Sequence, residues 1–570
     1  MKRKILWLGL SFLLVAALVL ASCGEAEVEE PPVGAPQHGG TLTLASGLWV
    51  GDPPSADMCD NLWPTPVYLG PVLDYLITGD VEKYGPRGTN EYPFTSPLYV
   101  PETLCGGGLV ESWEVTADKI VFHIRPGVYW TGKEGVMESR EYTAYDTEYS
   151  LNRYMDSHPP LSMLDPVPDW ITSIYAESRY TCVVETTSYN ANWKWLISTG
   201  WGNIQYAEEV VEAGASEWDN IVGTGPFMVK EYITGSAMVY DRNPDYWDTT
   251  TIDGVEYEIP FIDELVISII PDESTQIAAL RTGQIDLMGG FLSPVSLRYE
   301  ATLGETSPDL AMEKAMGNWC HLLTFNILNS EIVDDENVRR ALMIATDREA
   351  LAESAWLEAD LHSWPVSSKD PDIFTPFDEL PASTQELYEY DPDLARGMIA
   401  DEYPGGFTLI LPIDAANTVW IDMVSMITDM WDEIGVTLDM RPMEAVALEE
   451  LTSTGEGFDC FMWGEYNVQG LIALRSRVAM IDGVDPWFVD QYAEAEATAD
   501  IAAQNALLKE MNWKAIGEVL HIPLGTPYDL LCSWPWVKNW YGETEESAWG
   551  SSQINARIWI DQDLKAELGY

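Results

Sequence analysis

The segment from Phe407 to Met440 constrains the fold most. Phe407-Thr408-Leu409-Ile410-Leu411 reads as a strand, and Val419, Met423, Met426, Ile427, Met430 and Trp431 then recur at helical spacing. Gly435 stops the helix, and Val436-Thr437-Leu438-Asp439-Met440 alternates as a second strand. A strand, a helix and a strand at these lengths form a β-α-β crossover in a partly parallel sheet. The Met and aromatic stripe of the helix belongs to the core. Antiparallel pieces accompany it, since Lys119-Ile120-Val121-Phe122-His123-Ile124-Arg125 alternates and turns at Pro126-Gly127. Thr41 to Leu44 reads as a first strand. Asp272-Glu273-Ser274 caps a short helix that ends at Gly283 and leads into a strand, Gln284 to Leu287. The class is α/β.

A chain of 570 residues exceeds one ordinary core and calls for two or three domains, which 46% hydrophobic residues can supply. The charge is lopsided: 92 Asp and Glu against 30 Lys and Arg, a net of -62. Nucleic acid is excluded as a partner, because phosphate binding needs clustered cations. Such acidity attracts cations or cationic peptides, or else adapts the surface to salt.

At the N-terminus Lys2, Arg3 and Lys4 precede an apolar run from Ile5 to Ala21, at the short edge of the roughly 20 residues a membrane span needs. Small residues at its end and the basic start mark residues 1–22 as an export signal. Leu20-Ala21-Ser22-Cys23 looks like a bacterial lipobox, in which Cys23 is acylated and becomes the first residue of the mature chain. The acidic, Pro- and Gly-rich residues 23–38 read as a flexible tether. Beyond Cys23, the cysteines at 59, 105, 182, 320, 460 and 532 are even in number but unpaired by any spacing rule.

No catalytic constellation emerges. The histidines at 38, 123, 158, 321, 362 and 521 form neither HExxH nor a pair at helical spacing, and there is no GxSxG elbow or Walker-type phosphate loop. With so many acids, paired carboxylates arise by chance. His123, on its alternating stretch, reads as a solvated or satisfied strand residue.

Three blocks in order, Gly108 to Val115, Phe122 to Trp130 and Tyr142 to Arg153, resemble the signature of extracellular solute-binding proteins of family 5, the peptide and nickel type that feed ABC transporters. Gly223-Thr224-Gly225-Pro226-Phe227, Arg242 to Trp247, Ala279 to Asp286, Phe325-Asn326, Val338 to Arg348, Tyr390 to Ala395 and Ile434-Gly435-Val436 continue the resemblance. Physically, Gly223 and Gly225 suit a tight turn needing positive φ, and Thr346 with Glu349 makes a capping box.

The resemblance implies a two-lobed periplasmic-binding-protein-like clamp of type II with an extra subdomain in the first lobe. Lobe I would take residues 39–60, 220–310 and 525–570, the extra subdomain 61–219, and lobe II 311–524. It implies a non-enzymatic, monomeric receptor with no cofactor and no metal. Such a receptor is held by lipid on Cys23 at the outer face of the cytoplasmic membrane or in the periplasm, and it hands its ligand to an ABC permease. The ligand class is peptide first, then oligosaccharide, then metal chelate; an exported carboxylate hydrolase is the rival. In peptide-binding members a lobe II carboxylate meets the peptide's amino terminus, and Glu465 stands where that aspartate is usual. Trp463 and Tyr466 either line the pocket or pack the lobe. Leu48, Trp49 and Asp52 follow the first strand toward the cleft, with Trp319 a further wall. Arg475 and Arg477 pair either with a ligand carboxylate or with one of the many acids.

Overall fold

The crossover from Phe407 forms as read. In the computed structural model, which describes residues 34–48, 50–53, 55–60, 65–96, 99–157, 170–200, 203–467 and 485–570, strands Phe407–Asp414 and Val436–Met443 pair in parallel around helix Thr418–Asp432. Asn417 caps that helix by accepting from the Trp420 amide. Its inward face buries Met423, Val424, Ile427 and Trp431, each contributing about 1.5–3 kcal/mol of transfer energy.

Buried side chains gather into two clusters. The first takes Leu42, Phe122, Tyr240 and Leu265 from the N-terminal half, together with Leu530, Trp534, Trp536 and Ile560 from the end of the chain. The second lies wholly between, with Leu322, Leu342, Leu411, Trp431, Met462 and Ile522. Both belong to one unit, His38–Tyr570.

Within the first cluster, strand Thr41–Ser46 pairs in parallel with Glu264–Ile269, and Ala237–Arg242 and Phe227–Ile233 extend the sheet antiparallel. A second sheet, all antiparallel, runs Val110–Val115, Lys119–Ile124, Thr181–Thr186, Ile171–Ser178. His123 sits at its surface, Nε2 lying 3.2 Å from a Glu114 carboxylate oxygen.

Two segments pass between the clusters. The long strand His521–Ser533 pairs through His521–Gly525 with strand Trp319–Phe325 of the second cluster, and through Tyr528–Ser533 with strand Ala311–Met316. The other segment, Gly317-Asn318, joins those two partner strands. The passages are themselves bonded, Gly317 N donating to Pro527 O at 2.9 Å.

Local readings hold or fail for identifiable reasons. Asp272 accepts from the Thr275 amide and caps helix Glu273–Arg281 as expected, but only Leu287–Met288 of the following stretch forms a strand. The capping box at Thr346 does not form: Asp347 caps helix Arg348–Trp356, while the Thr346 hydroxyl donates back to Leu342 O. The aspartate, placed one residue later, accepts from the Ala350 amide. Gly223 and Gly225 do not adopt positive φ. They are small because a Cβ on either would lie 1.8 and 2.6 Å from Val72 O, so close backbone approach is what they permit. The six cysteines from Cys59 to Cys532 are all free thiols. Among the described residues no helix is long and apolar enough to cross a membrane.

Candidate functional site

Strand pairing builds the site. Trp319 opens its strand directly opposite Tyr466, the last residue of strand Cys460–Tyr466. Directly opposed residues share a face, and the two rings meet edge to face with centroids 4.7 Å apart. The Trp319 indole lies across Gly464, where an added Cβ would fall 1.5 Å from Nε1. Glycine there gives the indole its seat.

Tyr466 then reaches the other cluster, its ring 6.0 Å from Phe291 and 6.3 Å from Trp549. Burial pushes its phenol well above the usual range. A cavity opens beside these rings, lined among others by Ser293, Glu545 and Asn555.

Three charged groups converge on the same passage. Lys369 Nζ donates to Asn318 Oδ1 at 2.9 Å and to Gly317 O at 3.2 Å. Burial pulls this lysine down to about 8, against the upward pull of Glu545 and then Asp529. Glu545 accepts from the Phe291 amide at 3.4 Å and from the Thr544 hydroxyl. Burial carries it up to about 8 despite those bonds and Lys369. Asp529 lies on the long strand, its Oδ2 3.1 Å from where a Gly317 Cβ would stand. Burial raises it to about 7, opposed by Lys369. Groups perturbed by burial and by one another, one of which, Glu545, lines a cavity with Phe291, Trp540 and Trp549, are the marks of a binding locus.

Of the residues singled out from the sequence, Trp319 and Tyr466 are brought together here. Glu465 is buried one position away and accepts from Trp364 Nε1 at 3.1 Å. It is paired in register with Cys320, so it faces the opposite side of the sheet from Tyr466. Trp463 is 47% exposed, its ring 6.3 Å from Phe461. Asp52 accepts from the Tyr232 hydroxyl and the Gly235 amide on the surface. Trp49, Arg475, Arg477 and Cys23 lie outside the described residues. Sequence reading missed Lys369, Asp529, Glu545, Phe291 and Trp549. One available signal was the run Trp540 to Trp549, where three glutamates sit among aromatics. Among the described residues no group of three or more His, Cys, Asp or Glu side chains is placed to hold a metal ion.

The family model for bacterial extracellular solute-binding proteins, family 5 (middle), matches residues 106–468. Heme-binding protein A of Haemophilus influenzae is 29% identical over 375 residues, 61% of this chain and 64% of that protein. The dipeptide-binding protein of Escherichia coli is 25% identical over 400 residues, 64% of this chain and 70% of that protein. For the probable di/tripeptide-binding protein 5 of Pseudomonas aeruginosa the share of that protein is 55%, so the chain spans about half to 70% of these curated relatives.

Among solved structures, the periplasmic binding protein DppA of Helicobacter pylori, in complex with peptide STSA, superposes with a TM-score of 0.68 at 20% identity, covering 92% of this chain and 99% of that one. The ABC transporter substrate-binding protein CtaP of Listeria monocytogenes gives 0.70 at 16% identity, covering 92% and 100%. These likenesses establish the fold, the two-lobed α/β clamp of type II periplasmic binding proteins.

Proposed function

The chain belongs to the bacterial extracellular solute-binding proteins of family 5, and on that premise we propose that it is a receptor that closes on a small peptide and delivers it to an ABC permease. The two hydrophobic clusters are its lobes, with residues 61–219 as the extra subdomain of the first. Lipid on Cys23 keeps the receptor at the membrane, and residues 23–38 let it swing. It binds and releases its solute without turning it over.

One observation carries this reading. Trp319 and Tyr466, carried on strands whose cores lie in the second cluster, and Lys369 meet Phe291, Trp549 and Glu545 beside the first cluster at the passages between them. A bound peptide needs its charged ends paired and its side chains enclosed, and this seam offers an ammonium, two carboxyl groups and four aromatic faces. Because the seam draws on both lobes, a ligand there favours the closed form, the state that a transporter can distinguish. Glu465, on the opposite side of the sheet and bonded to Trp364, stands apart from this seam.

Native mass spectrometry of protein purified from its own cells, followed by thermal shift against pools of peptides, oligosaccharides and haem, tests the proposal. A retained peptide or stabilisation by the peptide pool is expected. Stabilisation by haem or oligosaccharide alone would overturn the peptide reading.

A further inference from the structure

We infer that the solute is cationic: within the peptide reading on which this rests, the receptor selects peptides that carry a basic side chain over neutral and acidic ones. Hydrogen-bonding capacity at the seam is the starting point. The Lys369 ammonium has already given two of its protons, to Asn318 Oδ1 and Gly317 O. What surrounds it is rich in acceptors: the carboxyl groups of Glu545 and Asp529, and the carbonyl of Gly317.

A separate observation points to a ligand that donates. Asn467 is 1% exposed, and its side-chain nitrogen donates to that same Gly317 O at 3.2 Å and to Thr526 Oγ1 at 3.3 Å. Its Oδ1 is buried and has no hydrogen-bond partner among the described residues. An orphaned buried acceptor costs about 1–3 kcal/mol, and a donor brought by the ligand removes that cost.

Charge accounting agrees. Among the described residues one lysine faces these two carboxyl groups, and when both ionise one negative charge is left uncompensated by it. Without ligand the protein meets this by holding protons, since burial raises Glu545 to about 8 and Asp529 to about 7. A guanidinium or ammonium from the ligand replaces those protons with a partner. An anionic side chain would instead add a third negative group against one ammonium.

Isothermal titration of the full chain at pH 7.5 with Leu-Lys, Leu-Leu and Leu-Glu tests this. Leu-Lys is expected to bind at least tenfold tighter than Leu-Leu, with Leu-Glu weakest; equal affinities, or Leu-Glu the tightest, would overturn the inference. Glu545→Gln and Asp529→Asn are each expected to shrink the Leu-Lys to Leu-Leu ratio toward one, and a ratio unchanged in both folded variants would also overturn it. Should no dipeptide bind, the peptide reading falls, and 1,5-diaminopentane against glutarate decides the charge question separately. Tighter binding of the diamine supports a cationic solute; equal or absent binding refutes it.

Discussion

Acidic side chains gather both around the buried Arg557 and at the seam between the lobes, and the two places treat them differently. Arg557, 2% exposed, pairs with Glu82 and with Asp248, the latter at 2.7 Å, and donates to Gln553 O at 2.9 Å. Nearby Arg87 pairs with Glu543 and donates to Asn539 O at 2.7 Å. Planar guanidinium forks answer these acids inside the fold. At the seam, among the described residues, Lys369, two of its protons already committed, answers two carboxyl groups. Matched acids hold the first lobe together, and those at the seam are left without a full complement of cations among the described residues.

The widest gap between the two places should appear when their cations are removed. Arg557→Ala takes a buried guanidinium away from Glu82 and Asp248, whose side chains are partly exposed, and is expected to cost about 1–3 kcal/mol, read as a drop in denaturant midpoint. Lys369→Met should cost less than half as much, because Glu545 and Asp529 can hold protons. Equal losses in the two variants would erase the distinction. Gly464→Ala tests the aromatic wall: it displaces the Trp319 indole, with a cost of about 1–3 kcal/mol from overpacking and a loss of ligand affinity of tenfold or more. Unchanged affinity would show that the Trp319 and Tyr466 pair is packing alone.

Titration of the ligand-free protein separates the regions next. Glu545 at about 8 and Asp529 at about 7 lie above their unfolded values near 4, so the native state binds more protons in between. Their stabilising effect is complete below about pH 4 and is lost as pH rises to about 8. The groups facing them are Lys369 on both, with Glu546 beside Glu545 and Glu273 beside Asp529. Lys369, lowered to about 8, acts with the opposite sign, but only above that pH. Scanning calorimetry should therefore find Tm falling from pH 5 to pH 8, and a flat or rising profile would contradict it. The smallest effect belongs to His123→Ala at the exposed sheet, within about 0.5 kcal/mol.

How much of this was legible in the sequence follows from the range of each interaction. The Phe407 to Met440 crossover, the Asp272 cap and the first strand are local patterns, and each formed where hydrophobic period and caps placed it. Trp319 and Tyr466 could be picked out because each lies in or beside a family block, although their contact needs strand pairing across about 150 residues, from 319 to 466. Lys369, Asp529 and Glu545 are ordinary charged residues in sequence. They become a site only when the passage at Gly317, the loop before Lys369 and the C-terminal segment converge, and no periodicity encodes that. Gly223 and Gly225 show the converse: their importance was readable but not its cause, since the crowding comes from Val72 O in another segment.

The strand His521–Ser533 serves two sheets at once. A joint of this kind offers proteases no open loop, because cleavage needs backbone that can leave its ladder. Limited digestion should nick the molecule elsewhere before it parts the lobes. The lobes should also fail together on heating, as one cooperative event rather than two, since neither can melt without unzipping a strand that the other still holds.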